Sequence, residues 1–163
     1  MNALKDQSVL ILGLGISGLA MARWCTRCGA QVVVADTRAQ PPQLESLRQD
    51  CPEAVFVAGP FDEALLSRGP WHLIARSPGL PPSQLEVVRE QSRVQGVPIV
   101  GELDLFAQAL ADLAVREVLP YRPKVLAITG TNGKTTVTAL TSQLMERAGW
   151  RTAVAGNIGP ALL

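Results

Sequence analysis

Histidine is nearly absent from this sequence: His72 is the only one in 163 residues. Cysteine is scarce too, limited to Cys25, Cys28 and Cys51. The C-x-x-C at 25–28 has no second pair, and a structural zinc site needs about four ligands. These cysteines are therefore expected as helix and core residues, without metal or redox duty. Aromatics make up only 4%, and Trp24, Trp71 and Trp150 read as packing, as does His72 beside Trp71. No apolar run approaches the roughly 20 residues needed to cross a bilayer. The stretch Met1–Ser8 lacks the basic and apolar parts of a secretory signal. A cytoplasmic, monomeric protein with no membrane partner is expected. Neither charge sign is in excess, the net being +1, so nothing electrostatic suggests nucleic acid as a partner.

What is abundant is aliphatic: hydrophobic residues reach 47%, mostly Ala, Val and Leu. Short β-rich runs alternate with helical patterns, the signature of a parallel α/β sheet. Strands are predicted at 8–12, 31–36, 54–58, 71–75 and 98–100. Helices are predicted at about 17–28, from Pro41 and Pro42 to 50, and at 62–67, 83–95 and 102–114. Residues 115–123 break the pattern with Pro120 and Pro123 and read as a linker. The cycle then restarts with a strand at 124–129, a helix at 134–148 and a strand at 151–155. The expected fold is a Rossmann-like parallel-sheet domain over 1–117, then the truncated start of a P-loop α/β ATPase domain over 118–163. Roughly forty residues bury too little apolar surface to fold reliably alone.

Two glycine loops carry the chemistry. Gly13-Leu-Gly-Ile-Ser-Gly18 fits G-x-G-x-x-G, follows a strand and opens a helix. Such a loop lets the backbone approach a ligand and aims helix amides at an anion. Asp36 ends the second strand, where a carboxylate can accept hydrogen bonds from ribose or sugar hydroxyls. The second loop, Ile128-Thr-Gly-Thr-Asn-Gly-Lys-Thr-Thr136, ends in the G-K-[ST] of a P-loop. Its lysine would neutralise the outer phosphates and its hydroxyl would bind Mg²⁺. It departs from the general pattern at Ile128, where the first glycine would stand.

That departure resembles the phosphate loop of the Mur ligases and of their folylpolyglutamate synthase relatives. The latter lack a preceding Rossmann-like domain. The ordered set Gly13–Gly18, Asp36-Thr-Arg38, Ser77-Pro-Gly79, Val100-Gly-Glu-Leu-Asp-Leu-Phe106, the phosphate loop and Gly156-Asn-Ile-Gly159 resembles most the D-glutamate-adding members of that family. The resemblance spans nearly the whole chain. It implies an ATP- and Mg²⁺-dependent ligase that joins D-glutamate to UDP-N-acetylmuramoyl-L-alanine through an acyl phosphate.

Carried over position by position, the resemblance implies that Gly15, Ile16 and Ser17 meet the uridine diphosphate. Asp36, Thr37 and Arg38 would flank the uracil and ribose, with Ser77 and Gly79 lining the same cleft. Asn157 would reach the substrate from the second domain. ATP would lie on Gly130, Thr131, Asn132, Gly133, Lys134, Thr135 and Thr136. Lys134 and Thr135 would be the catalytic pair, Thr135 toward Mg²⁺. Plainer alternatives remain: a solvated turn for Thr37 and Arg38, and a loop breaker for Ser77–Gly79. Other catalytic ligands of the family (a glutamate, a histidine, a modified lysine) and its D-glutamate-binding domain lie downstream, so the chain alone is expected to be inactive. Rival readings are another Mur ligase and an NAD-dependent oxidoreductase using Gly13–Gly18 and Asp36. The latter leaves the phosphate loop unexplained.

Overall fold

The computed structural model describes residues 4–156 and 159–163. Five parallel strands form one sheet in the order β3-β2-β1-β4-β5: β1 Ser8–Leu12, β2 Gln31–Asp36, β3 Val55–Ala58, β4 Leu73–Arg76 and β5 Ile99–Val100. The registers pair Ser8 with Gln31 and Val9 with Leu73. Central β1 is flanked on both edges and covered on both faces, so Val9, Leu10, Ile11 and Leu12 are wholly buried. That double cover is why a strand of a parallel sheet reads as an unbroken apolar run.

Alternation along β1 divides the core in two. Val9 and Ile11 join Leu19, Met21, Ala22 and Cys25 of α1 (Ile16–Arg27), Leu44 and Leu47 of α2 (Leu44–Asp50), and Leu105 of α5 (Glu102–Ala114). Leu10 and Leu12 face Phe61, Leu65 and Leu66 at α3 (Glu63–Leu66), and Leu85 and Val88 at α4 (Glu86–Gln95). All three cysteines are buried and free, as expected of core residues. Burial pushes the Cys25 thiol up to about 12, so it stays protonated and inert. Trp71 is buried too, its indole N–H donating to the Leu66 carbonyl at 2.8 Å.

Several boundaries differ from the sequence expectation. Helix α2 begins at Leu44, not at the prolines; Pro41 accepts from the Leu44 amide in a preceding turn. A 3₁₀ turn, Pro82–Leu85, precedes α4, with proline in its first turn. Strand β4 starts two residues late, at Leu73, after the buried Trp71. Trp150 is 47% exposed, with the Lys124 ammonium 4.4 Å from its ring centre, so it is not a packing residue.

The largest departure lies after Pro123. The strands expected at 124–129 and 151–155 do not form. A strand exists only in relation to a hydrogen-bonded neighbour, and among the described residues neither segment has a ladder partner. Helix α6 (Lys134–Arg147) does form, since its hydrogen bonds are internal, yet none of its side chains is buried. The linker folds back on α5: the Tyr121 amide donates to the Leu113 carbonyl at 2.9 Å, and Arg122 Nε to that of Ala114.

Candidate functional site

The strand order reverses between β1 and β4, one connection running outward to β2 and β3 and the other to β5. Ligands of open α/β sheets bind at such a point, outside the carboxyl ends of the strands. A cleft of about 430 Å³ lies there, walled by the turns after β1, β2 and β4. It gathers Gly15, Ile16, Ser17, Asp36, Thr37, Arg38, Ser77 and Gly79. All the expected first-domain residues thus share one wall system.

The glycine turn is held from two sides. Gly18 sits where a Cβ would lie 2.0 Å from the Gly13 carbonyl oxygen, so α1 approaches β1 as only glycine permits. Ser77 donates its buried hydroxyl to that same carbonyl at 2.9 Å. Ser77 is therefore a buttress of the turn, a role its place in a Ser-Pro-Gly loop did not announce. Gly15 caps α1 without a side-chain hydrogen bond, and no acidic residue stands in the first turn. The opening amides of a helix lack internal acceptors, so this end suits an anion.

Asp36 is almost wholly buried and fully engaged. Its Oδ2 accepts the Leu14 amide at 2.7 Å and Arg38 Nη2 at 2.8 Å. Its Oδ1 accepts the Arg38 amide at 2.9 Å and Arg38 Nε at 2.8 Å. Burial pushes the carboxyl up, but the Arg38 side chain and the two amides outweigh it, holding it at about 2 against an ordinary 3.8. A carboxylate offers about four acceptor positions, and here four donors fill them. The ribose-accepting role expected of Asp36 has no free lone pair in this arrangement. What the carboxylate does is lock a two-pronged arginine, half exposed, at the cleft wall.

Sequence reasoning missed the part of the lining formed by Leu80, Pro81 and Gln84. The Pro81-Pro82 pair was the available signal, since it holds the chain extended before the 3₁₀ turn. Gln84 alone among these brings a carboxamide.

The second loop lies apart from this cleft's lining. Gly133 adopts φ +73° directly before α6, and Lys134 Nζ donates to the Gly130 carbonyl at 2.6 Å. The loop therefore curls around its own ammonium ion. Thr135 and Thr136 are exposed in the first turn of α6. Asn157 lies outside the described residues.

A parallel sheet wound both ways, with a glycine turn and a helix start at its switch point, defines a doubly wound α/β protein. The family model for the Mur ligase MurD-like N-terminal domain matches residues 7–101, and that for the Mur ligase middle domain matches 128–161. The chain belongs to the MurD-like Mur ligases. It is 60% identical, over all its 163 residues, to the UDP-N-acetylmuramoylalanine--D-glutamate ligase of Albidiferax ferrireducens, covering 32% of that protein. It is 54% identical over 157 residues to the ligase of the same name from Paraburkholderia phymatum, covering 95% of this chain and 30% of that one. The chain thus spans about a third of the length of the curated relatives it matches. Among solved structures, a pseudomurein peptide ligase type C from Methanothermus fervidus shares the fold. Its TM-score is 0.50 at 22% identity, over 88% of this chain and 27% of that one.

Proposed function

We propose that this chain binds UDP-N-acetylmuramoyl-L-alanine and ATP for a peptidoglycan-precursor ligase that adds D-glutamate. The division at about residue 117, the cytoplasmic location and the site roles below belong to the same reading. Its chief support is the commitment of Asp36. An NAD-binding protein of this topology uses the equivalent acid to hold a ribose diol. Here that acid is spent on Leu14 and Arg38, which leaves a planar guanidinium to meet the ligand instead.

In this reading the amides of Ile16 and Ser17 receive the diphosphate at the start of α1. Arg38, held flat by Asp36, offers its face to the uracil and its remaining N–H donors to the ribose side. Thr37 supplies a hydroxyl beside it, while Ser77 and Gly79 keep the opposite wall in place. The muramoyl-alanyl end then leaves the cleft toward the second segment, where Asn157 would meet it.

The residues from Gly130 to Thr136 fit a nucleotide triphosphate. The glycines keep side chains out of the loop, α6 opens directly behind it, and Lys134 already sits among the carbonyls it would leave for phosphate oxygens. Thr135 would hold Mg²⁺. Bound there, ATP would supply the phosphoryl group that activates the alanyl carboxylate for attack by the amine of D-glutamate. The part of this chain in that chemistry is to place Lys134 and Thr135 where charge builds up. The further catalytic ligands and the D-glutamate site lie in the rest of the ligase, and the chain alone is expected to be inactive.

Calorimetric titration tests the reading, with UDP-N-acetylmuramoyl-L-alanine as ligand and NAD as control. Binding of the sugar nucleotide alone is expected, weakened about tenfold or more by Arg38→Ala. Binding of NAD without the sugar nucleotide would refute it.

A further inference from the structure

Two polar side chains of the cleft lining are spent within the protein: Asp36 on Leu14 and Arg38, and Ser77 on the Gly13 carbonyl. Gln84 is not. It lines the same cleft with its side chain exposed, and among the described residues its carboxamide has no hydrogen-bond partner. Its backbone, by contrast, is fixed from both sides. The Leu80 amide donates to the Ser77 carbonyl at 3.3 Å, and the Gln84 amide to that of Pro81 at 3.1 Å. Leu80 stands 3.4 Å from where a Cβ on Gly13 would lie, so this wall leans on the glycine turn itself. Pro82 stiffens the 3₁₀ turn, and Leu85, the next residue after Gln84, is 2% exposed in the core. An uncommitted carboxamide on so rigid a support loses little freedom of the main chain when it meets a ligand.

The topology gives it a side of the cleft. Strand β1 lies between β2 and β4, so the turns that carry Arg38 and Gln84 flank the glycine turn, their strands about 10 Å apart at the usual spacing. A Cβ added to Gly15 or to Gly79 meets no atom within 4 Å, so both turns offer bare backbone beside open space. With the base on Arg38 and the diphosphate at the start of α1, the group that follows the diphosphate falls on the side of Gln84. A primary carboxamide donates, accepts and carries no charge. It therefore suits the hydroxyl and acetamido groups of a sugar, which also donate and accept, better than a phosphate or carboxylate, which only accepts.

We propose that Gln84 is a specificity-determining residue. Its carboxamide hydrogen-bonds the sugar ring that follows the diphosphate, and so favours a glycosylated nucleotide over a bare one. This role rests on the substrate reading above.

The test uses the whole chain as wild type, Gln84→Ala and Gln84→Met, the last keeping the length of the side chain without its carboxamide. Each is titrated calorimetrically with UDP and with UDP-N-acetylmuramoyl-L-alanine, and its melting temperature is checked against wild type. Both variants are expected to melt as wild type does, to bind UDP unchanged and to bind the longer ligand about three- to tenfold more weakly. An equal loss for both ligands would overturn the proposal, as would no loss for either. Wild-type affinity in Gln84→Met with a loss in Gln84→Ala would overturn it too, by making the stem and not the carboxamide the contact. A wild type that fails to bind the longer ligand sinks the substrate reading and this role with it. A wild type that binds it, with variants that bind it equally well, sinks this role alone.

Discussion

Replacing Asp36 with asparagine changes one atom type and reverses the polarity of half a buried contact. The carboxylate now satisfies two donors on each oxygen. Whichever way the carboxamide turns, its NH₂ faces two N–H donors with nothing to accept them. The difference between 3.8 and about 2 for this carboxyl, at ~1.36 kcal/mol per pH unit, corresponds to ~2.4 kcal/mol. Arg38 is 54% exposed, and solvent screening on that side brings the figure nearer ~2 kcal/mol. Because the folded pKa is depressed, this stability is complete above the unfolded value of 3.8. It is lost as pH falls from about 4 through about 2. Urea unfolding of both proteins at pH 7, 4, 3 and 2.5 should therefore show a gap of ~2–3 kcal/mol at neutral pH that narrows on the acid side. A gap that stays constant across the range, or an asparagine variant as stable as wild type at pH 7, would refute the electrostatic account of this corner.

Gly18→Ala places a methyl 2.0 Å from the Gly13 oxygen, a backbone atom that cannot swing aside. A loss of ~3 kcal/mol is expected, visible as a melting temperature lower by ~6–12 °C; an unchanged melt would mean that the helix–strand approach is looser than described. Lys134→Ala removes a side chain that, among the described residues, bonds its own loop's carbonyls alone. The melting temperature should hold within ~2 °C while affinity for a fluorescent ATP analogue falls at least about tenfold, and equal affinity would remove Lys134 from the phosphate site.

Most of the first domain was legible because its signals are local. A run such as Val-Leu-Ile-Leu after Ser8 is apolar on both faces, and Gly29 punctuates α1 at its end. The segments at 124–129 and 151–155 carry an equally good strand pattern, but pattern describes a side-chain surface, while a strand is a bond to something else. The site shows the same division. The residues that meet in the cleft were readable from loop motifs, because a parallel sheet brings the ends of its strands together. Their employment was not, since whether Asp36 is free or saturated depends on Leu14 and Arg38. Gln84 stands in no phosphate-binding motif, and only the fold reveals that it lines the cleft.

The central position of β1 has a consequence for the order of synthesis. Its β2 edge can pair as soon as Asp36 has been made, but its other edge awaits β4, whose contacts lie 64 residues away along the chain. At ~5–20 residues per second, the forty residues from Asp36 to Arg76 take roughly 2–8 s to emerge from a ribosome. Through that interval Val9–Leu12 presents an apolar strand with one side open, the arrangement most apt to pair with a neighbouring chain. Aggregation of the nascent protein should thus be governed by synonymous codons that speed or slow this stretch, rather than by the surface of the finished fold.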